Sequence, residues 1–178
     1  MAGEVKAAIH EVLRQSRFEP ARVLEVGGVM GPKSLLDSPV VATAERVVLN
    51  MAPVREEVGV EFVLGNANDM PFEDDSFDLV MTISTLEHDK HFWLSLAEMK
   101  RVLQPGGMLI IAVPGFVKDP ERDRGRWTRT YRVHFAFDYY RFSEQAVAEV
   151  FFDGMERVGV QALLIPPRIV GHGYAPAR

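Results

Sequence analysis

"VLEVGGVMGPKS", residues 23–34, is the stretch whose reading decides the fold. It opens as an apolar strand, runs into the adjacent Gly27 and Gly28, and reaches Gly31-Pro32. A helix can begin there, because proline is tolerated at the first helical position. Strand, glycine turn and helix start in succession suit a nucleotide-like ligand, since glycines let a ligand approach the backbone closely. The spacing 27, 28 and 31 fits no standard dinucleotide pattern. Glu25 is the odd residue, a carboxylate inside an otherwise apolar strand, and a carboxylate buried there needs a partner. A ligand ammonium, directly or through water, would serve, and so would a pair of backbone amides. On spacing alone, a tight turn with a satisfied glutamate and a ligand loop stand side by side.

The same apolar texture recurs in "RVVLN" (46–50), "VEFVL" (60–64), "FDLVMTI" (77–83) and "GMLIIAV" (107–113). Runs without alternation suit strands buried on both faces, as in a parallel sheet. Between them, Phe92, Leu96, Met99 and Leu103 form one helical face, and Val5, Ala8, Ile9, Val12 and Leu13 mark an amphipathic helix over 3–16. "QPGG" (104–107) stops the helix before it. The pattern predicts an α/β fold: a doubly wound, mostly parallel, Rossmann-like sheet with helices on both faces. Ligands of such sheets sit beyond the carboxyl ends of the strands, where the strand order reverses. The loops after residues 26, 50, 65, 83 and 113 are therefore the ones to examine.

The chain has 178 residues, 47% of them hydrophobic, enough for one well-buried core. Its net charge of −5 argues against a general nucleic-acid footprint. It has no cysteine, which excludes disulfides, cysteine-ligated zinc and a cysteine nucleophile, and suits a cytoplasmic protein. The most apolar run, "MLIIAVPGFV", falls short of the ~20 residues that span a bilayer. The N-terminus carries charges throughout and resembles no signal peptide. No membrane or nucleic-acid partner is expected, and no metal.

The organisation expected is one domain over 1–178: a helix at 3–16, a core at 20–114, a segment at 115–142, and a C-terminal helix, strand and tail over 143–178. Residues 115–142 are polar, aromatic and arginine-rich, and too long for an ordinary connector, so they read as a functional loop or lid. Lys118, Arg122, Arg124, Arg126, Arg129 and Arg132 stand there against Asp119, Glu121 and Asp123. That surplus of positive charge suits an anionic acceptor, and equally a salt-bridged surface loop. Its aromatic residues, among them Phe137, Tyr139 and Tyr140, suit an acceptor pocket, a packed lid or a homodimer contact. Ser143 is placed to cap a helix ended by Gly154, and "VGVQALLI" (158–165) reads as a strand. "PPRIVGHGYAPAR" (166–178) reads as an irregular or weakly stranded tail, too short for a full terminal hairpin, so truncation of the sheet at its last strand is an expectation beside the full fold.

Taken in order, "VLEVGG", "GNANDMPFEDDSFDLVMTISTLEH", "EMKRVLQPGGMLIIAVPG" and "DYYRFSEQAVAEVF" resemble successive motifs of class I S-adenosylmethionine-dependent methyltransferases, in the type 11 branch. The resemblance covers about residues 20 to 155, and several ordered blocks weigh far more than one glycine loop. It implies S-adenosyl-L-methionine as cofactor and a small molecule as methyl acceptor. It further implies that Glu25 helps hold the methionine amino group, with Gly27, Gly28 and Gly31 forming the turn beneath the methionine moiety. Asn50 matches the acid that binds ribose, Met51 flanks the adenine, and Asn66 and Ala67 match the adenine-contacting segment. Thr82 and Ile83 match the segment at the sulfonium end, and Leu86, Glu87 and His88 match the "LEH" that follows. The chain departs from the pattern in three ways. Val29 stands where the family has its middle glycine, Asn50 and Asn66 replace two acids, and the first crossover helix must be short.

Methyl transfer from a sulfonium mainly requires alignment of the acceptor. A hydroxyl acceptor also needs its proton removed. His134 in the candidate lid and His88 after the fourth strand are the catalytic candidates. A fold that binds the cofactor without turnover is the second reading, and a nicotinamide-dependent oxidoreductase the third.

Overall fold

The computed structural model describes residues 3–29, 34–53, 57–118, 128–130 and 137–177. Helix α1 (Gly3–Ser16) is followed by β1 (Arg22–Val26), β2 (Glu45–Asn50), β3 (Val60–Leu64) and β4 (Phe77–Ile83). After β4 come α2 (Phe92–Arg101), β5 (Leu103–Lys118), β6 (Thr128–Thr130) and β7 (Phe142–Ser143). Helix α3 (Glu144–Ala146) widens into a π turn (Val147–Phe151), and β8 (Glu156–Leu164) and β9 (Pro167–Tyr174) close the chain's fold. The sheet order is β3-β2-β1-β4-β5-β9-β8, with β6 and β7 paired to the far end of β5.

β1 to β5 run parallel, and β9 joins β5 antiparallel. The apolar runs behave as a parallel sheet demands: β1, β2 and β4 are buried at nearly every central position. One face packs Val5, Ile9 and Leu13 of α1 against Val23, Val48, Leu79 and Ile110. The other packs Leu96 and Met99 of α2 and Val147, Phe151 and Phe152 against Leu24, Val47, Val80 and Leu109. Sequential strands run from β1 out to β3, then resume on the other side of β1 with β4. The strand order therefore reverses between β1 and β4, and that is where the carboxyl ends leave a crevice.

Three expectations are corrected. The sheet is not truncated: β8 and β9 form a full antiparallel hairpin, and β9 is buried between β5 and β8. The tail reads as irregular because its glycines are there for packing. A Cβ on Gly171 would lie 2.4 Å from Cε2 of Phe152, and one on Gly173 would lie 2.9 Å from its Cδ1. Second, the described part of the first crossover holds no α-helix, only turns from Ser34 and a 3-10 turn at Pro39–Val41. Third, β5 is longer than the apolar run 107–113 and passes through Pro114. The last β4 partner of β5 is Ala112, so the missing proline N–H falls beyond the β4 pairing, and β5 continues to Lys118.

Candidate active site

The loops that follow β1, β2, β3 and β4 surround a cavity of about 860 Å³. Gly27 contributes from the first loop, Leu49, Asn50 and Met51 from the second, and Gly65 to Asn68 from the third. Ser84, Thr85 and His88 to His91 come from the fourth, while Phe137 and Tyr139 approach from the chain after β6.

The glycine pair is fixed by what lies beside it. Gly27 has a φ of +72°, which side chains rarely adopt, and a Cβ there would meet the Thr85 hydroxyl at 2.3 Å. A Cβ on Gly28 would lie 2.7 Å from the carboxyl carbon of Glu25. Glu25 is thus lodged directly beneath the turn, 1% exposed. Its Oε2 accepts from the Ser34 hydroxyl at 2.5 Å and the Leu35 amide at 3.1 Å, and its Oε1 has no hydrogen-bond partner among the described residues. Burial pushes this carboxyl up to about 7, partly opposed by the Ser34 and Leu35 bonds.

The second loop is tied to the first. Gly27 N donates to Leu49 O at 2.8 Å, the Asn50 side-chain amide donates to Gly28 O at 2.8 Å, and Ala52 N donates back to Asn50 Oδ1 at 3.2 Å. In the third loop Asn66 Oδ1 accepts from Asn68 N at 3.0 Å. The Asn68 amide then crosses to the fourth loop, donating to Asp89 Oδ2 at 2.7 Å, which also accepts from the buried Ser95 hydroxyl at 2.6 Å. Arg101 braces the same loop from α2, donating to the carbonyls of Phe72 and Met70 while pairing with Glu98.

The fourth loop opens with Ser84 at a φ of +54°, a strained conformation of the kind that collects at functional sites. Glu87 is fully buried, with Arg168 of β9 reaching its Oε1 at 3.5 Å. Burial raises the Glu87 carboxyl, opposed by its own backbone amide and by Arg168 and His88. His88 Nδ1 lies 3.2 Å from the carbonyl of Phe137, an acceptor, so Nδ1 carries the proton in that contact. Tyr139 N donates to Glu87 O at 2.8 Å and the Tyr140 hydroxyl to Lys90 O at 2.9 Å, seating residues 137–140 on the fourth loop. Arg141 pairs with Asp138.

Of the residues named from sequence, Gly27, Asn50, Met51, Asn66, Ala67 and His88 line the cavity. Glu25 and Gly28 lie beneath its first loop. Thr82 and Ile83 are buried in β4, where Thr82 donates to Val26 O at 3.0 Å, and the next two residues, Ser84 and Thr85, line the cavity instead. Gly31 and His134 lie outside the described residues, as do Arg122, Arg124, Arg126 and Arg132. Sequence reading missed Ser34, Ser84, Thr85 and Asp89. Thr85 and Asp89 were legible only as polar residues following an apolar strand.

This arrangement, a 3-2-1-4-5 sheet with an antiparallel hairpin and a cavity over the β1/β4 reversal, is that of a class I methyltransferase fold. Residues 38–111 match the family model described as "Methyltransferase domain". The "Probable phthiotriol/phenolphthiotriol dimycocerosates methyltransferase 2" of Mycobacterium ulcerans is 33% identical over 111 residues, covering 58% of this chain and 43% of that one. The chain thus spans less than half the length of the curated relatives it matches. Among solved structures, 1,6-didemethyltoxoflavin-N1-methyltransferase of Burkholderia thailandensis, with bound 1,6-didemethyltoxoflavin and S-adenosylhomocysteine, superimposes with a TM-score of 0.70. It is 18% identical and covers 96% of this chain and 78% of that one. Phosphoethanolamine N-methyltransferase 2 of Haemonchus contortus, in complex with phosphomonomethylethanolamine and S-adenosylhomocysteine, gives a TM-score of 0.71. It is 12% identical, covering 98% of this chain and 53% of that one. At such identities these likenesses establish the fold.

Proposed function

We propose that the chain transfers a methyl group from S-adenosylmethionine to a small-molecule acceptor. The observation that carries this is the buried carboxyl of Glu25, one oxygen of which has no hydrogen-bond partner among the described residues, beneath the glycine turn that edges a cavity built from four strand ends. An orphaned carboxylate oxygen there fits the ammonium of a methionine moiety, directly or through water. Asn50 and Met51 fit the ribose side, and Asn66 and Ala67 the adenine side. When bound, the cofactor supplies an electrophilic methyl group on sulfur. The chain's own residues exclude water, align the acceptor and manage its proton.

For that proton His88 is the described candidate. With Nδ1–H directed at the Phe137 carbonyl, Nε2 is the ring nitrogen that would take the acceptor's proton, and Glu87 Oε1 lies 3.9 Å from it. His88→Asn should leave cofactor binding intact and lower turnover about 100-fold for a hydroxyl acceptor. Unchanged turnover would remove His88 from the chemistry. The acceptor is read as anionic, drawn by Lys90 and His91 at the cavity and by the basic segment 118–132. Segment 115–142 is read as the lid over it. The phosphorylated ligand in the Haemonchus enzyme is a precedent for such an acceptor on this fold.

A binding protein without turnover is the second reading, favoured by the local engagement of Asn50 and Asn66 side chains. Calorimetric titration with S-adenosylmethionine, S-adenosylhomocysteine and NAD as control tests the cofactor. Micromolar binding of the first two supports the proposal, and binding to none of them by folded protein refutes it. An acceptor screen on a binding-competent protein then separates the two readings.

A further inference from the structure

Asn50 stands where the resemblance places a ribose-binding acid, and on that comparison alone it looks like a loss. Its surroundings say otherwise. The side-chain amide donates to Gly28 O at 2.8 Å, and the side-chain oxygen accepts from Ala52 N at 3.2 Å. Those two contacts fix the amide's orientation, because a carbonyl can only accept and a backbone N–H can only donate. An aspartate satisfies the Ala52 contact but turns its second oxygen, carrying charge, towards the Gly28 carbonyl. The amide is therefore the group that closes this contact with a hydrogen bond at neutral pH.

The bond matters because of where Gly28 sits. Among the described residues the first loop is tied to the second by Gly27 N to Leu49 O and Asn50 to Gly28 O. Beneath Gly28 the Glu25 carboxyl leaves no room for a Cβ. The Asn50 bond holds the turn from above while Glu25 supports it from below. Asn50 itself lines the cavity beside Met51 and retains one amide hydrogen and one oxygen lone pair for a ligand.

We propose that Asn50 is a positioning residue that latches the glycine turn to the second loop, so that this chain requires an amide, not the acid, at this position to bind its cofactor. The inference rests on the cofactor reading of the cavity for its binding consequence, but the latch itself is a property of the ligand-free protein.

The test is Asn50→Asp beside Asn50→Ala, read by thermal melting without ligand and by calorimetry with S-adenosylhomocysteine, each at pH 5 and pH 8. Asn50→Asp should melt about 3 °C below the wild type at pH 8, the loss expected for one hydrogen bond in a chain of this size. A protonated aspartic acid can donate to Gly28 O, whereas a carboxylate there faces a carbonyl oxygen, so this contact raises its carboxyl above the ordinary range. The stability it contributes is then present at low pH and lost as pH rises through that raised value. The deficit should accordingly shrink towards pH 5. Asn50→Ala, which adds no charge, should show a deficit of similar size at both pH values. Glu25 beneath Gly28, and His88, Asp89, Lys90 and His91 around the cavity, are common to all three proteins, so differences between them isolate position 50.

At pH 8 Asn50→Asp should bind S-adenosylhomocysteine at least about tenfold more weakly than the wild type, one bond's loss on the site that must be pre-formed. If Asn50→Asp melts with the wild type at both pH values, or binds as tightly or more tightly at pH 8, the latch is overturned. If the wild type binds no S-adenosylhomocysteine, the cofactor reading fails, and the melting series still decides whether the latch exists.

Discussion

Two buried glutamates lie under the loops of this cavity, and they have been solved differently by the fold. Glu25, next to last in the first strand on the α1 side, has a hydroxyl and a backbone amide bonded to it and no ion pair within salt-bridge distance among the described residues. Glu87 follows the fourth strand and has Arg168 of the last strand against it, with His88 nearby. Burial raises both carboxyls. The difference lies in what opposes it: at Glu25 the Ser34 and Leu35 bonds, with the Lys6 ammonium acting through space, and at Glu87 its own backbone amide with the Arg168 guanidinium in ion-pair contact. A buried carboxylate with its own cation braces the structure, here stitching the fourth loop to the terminal hairpin. One without an ion-pair partner among the described residues keeps its charge in question until a ligand supplies a counter-charge in contact.

The sharpest way to break this contrast is to remove the cation. Arg168→Met leaves Glu87 buried without its partner, and removing one member of a buried pair costs about 3–5 kcal/mol. Urea denaturation at neutral pH should show that loss, with cofactor affinity reduced only through the fraction of folded protein. A cost below about 1 kcal/mol would mean that Glu87 is already neutral in the native state, and the two sites would then be alike.

Next in size is the pH dependence that Glu25 imposes. Its ordinary value of 4.5 rises to about 7 in the folded chain, so the folded state holds the proton more tightly than the unfolded one. The contribution to stability is full below pH 4.5 and declines as pH rises, being lost above pH 7. Across that window it amounts to about 3 kcal/mol. Denaturation of wild type and Glu25→Gln at pH 5 and pH 8 should diverge by that order, the variant losing less as pH rises. Addition of S-adenosylhomocysteine should pull the carboxyl back down, so its binding to wild type should release protons near pH 6. Parallel curves for the two proteins would place no titrating carboxyl beneath the turn.

The parallel core was legible because β1, β2, β4 and β5 are buried on both faces, which forces continuous apolar runs, and the turn after β1 was legible because two adjacent glycines are rare inside such runs. The terminal hairpin was not. Its β9 carries Gly171 and Gly173 where Phe152 presses onto the backbone, so a packing requirement wore the appearance of a loop. Glu25 stood out as a lone acid in an apolar strand, yet its partners Ser34 and Leu35 lie in a crossover whose turns have no hydrophobic period to betray them. The role of Asn50 was hidden for another reason. Comparison with an acid at that position describes what is lost, while the gained bond to Gly28 O depends on two loops meeting in space.

The smallest effect tests whether Glu25 and Gly28 form one unit. Gly28→Ala places a Cβ 2.7 Å from the Glu25 carboxyl carbon, so the carboxylate or the turn must yield, at about 1–2 kcal/mol for an overpacked buried site. The atoms it meets are Cγ, Cδ and Oε2 of Glu25, and all of them are absent in Glu25→Ala. In that background the new methyl group enters space already vacated, so Gly28→Ala should cost less than it does alone. A double-mutant cycle read by urea denaturation should therefore give a favourable coupling of about 1 kcal/mol. Additive costs would mean that the turn resists a side chain for its own backbone reasons. The floor of the cavity would then be set by the loops, and Glu25 would be a passenger beneath them.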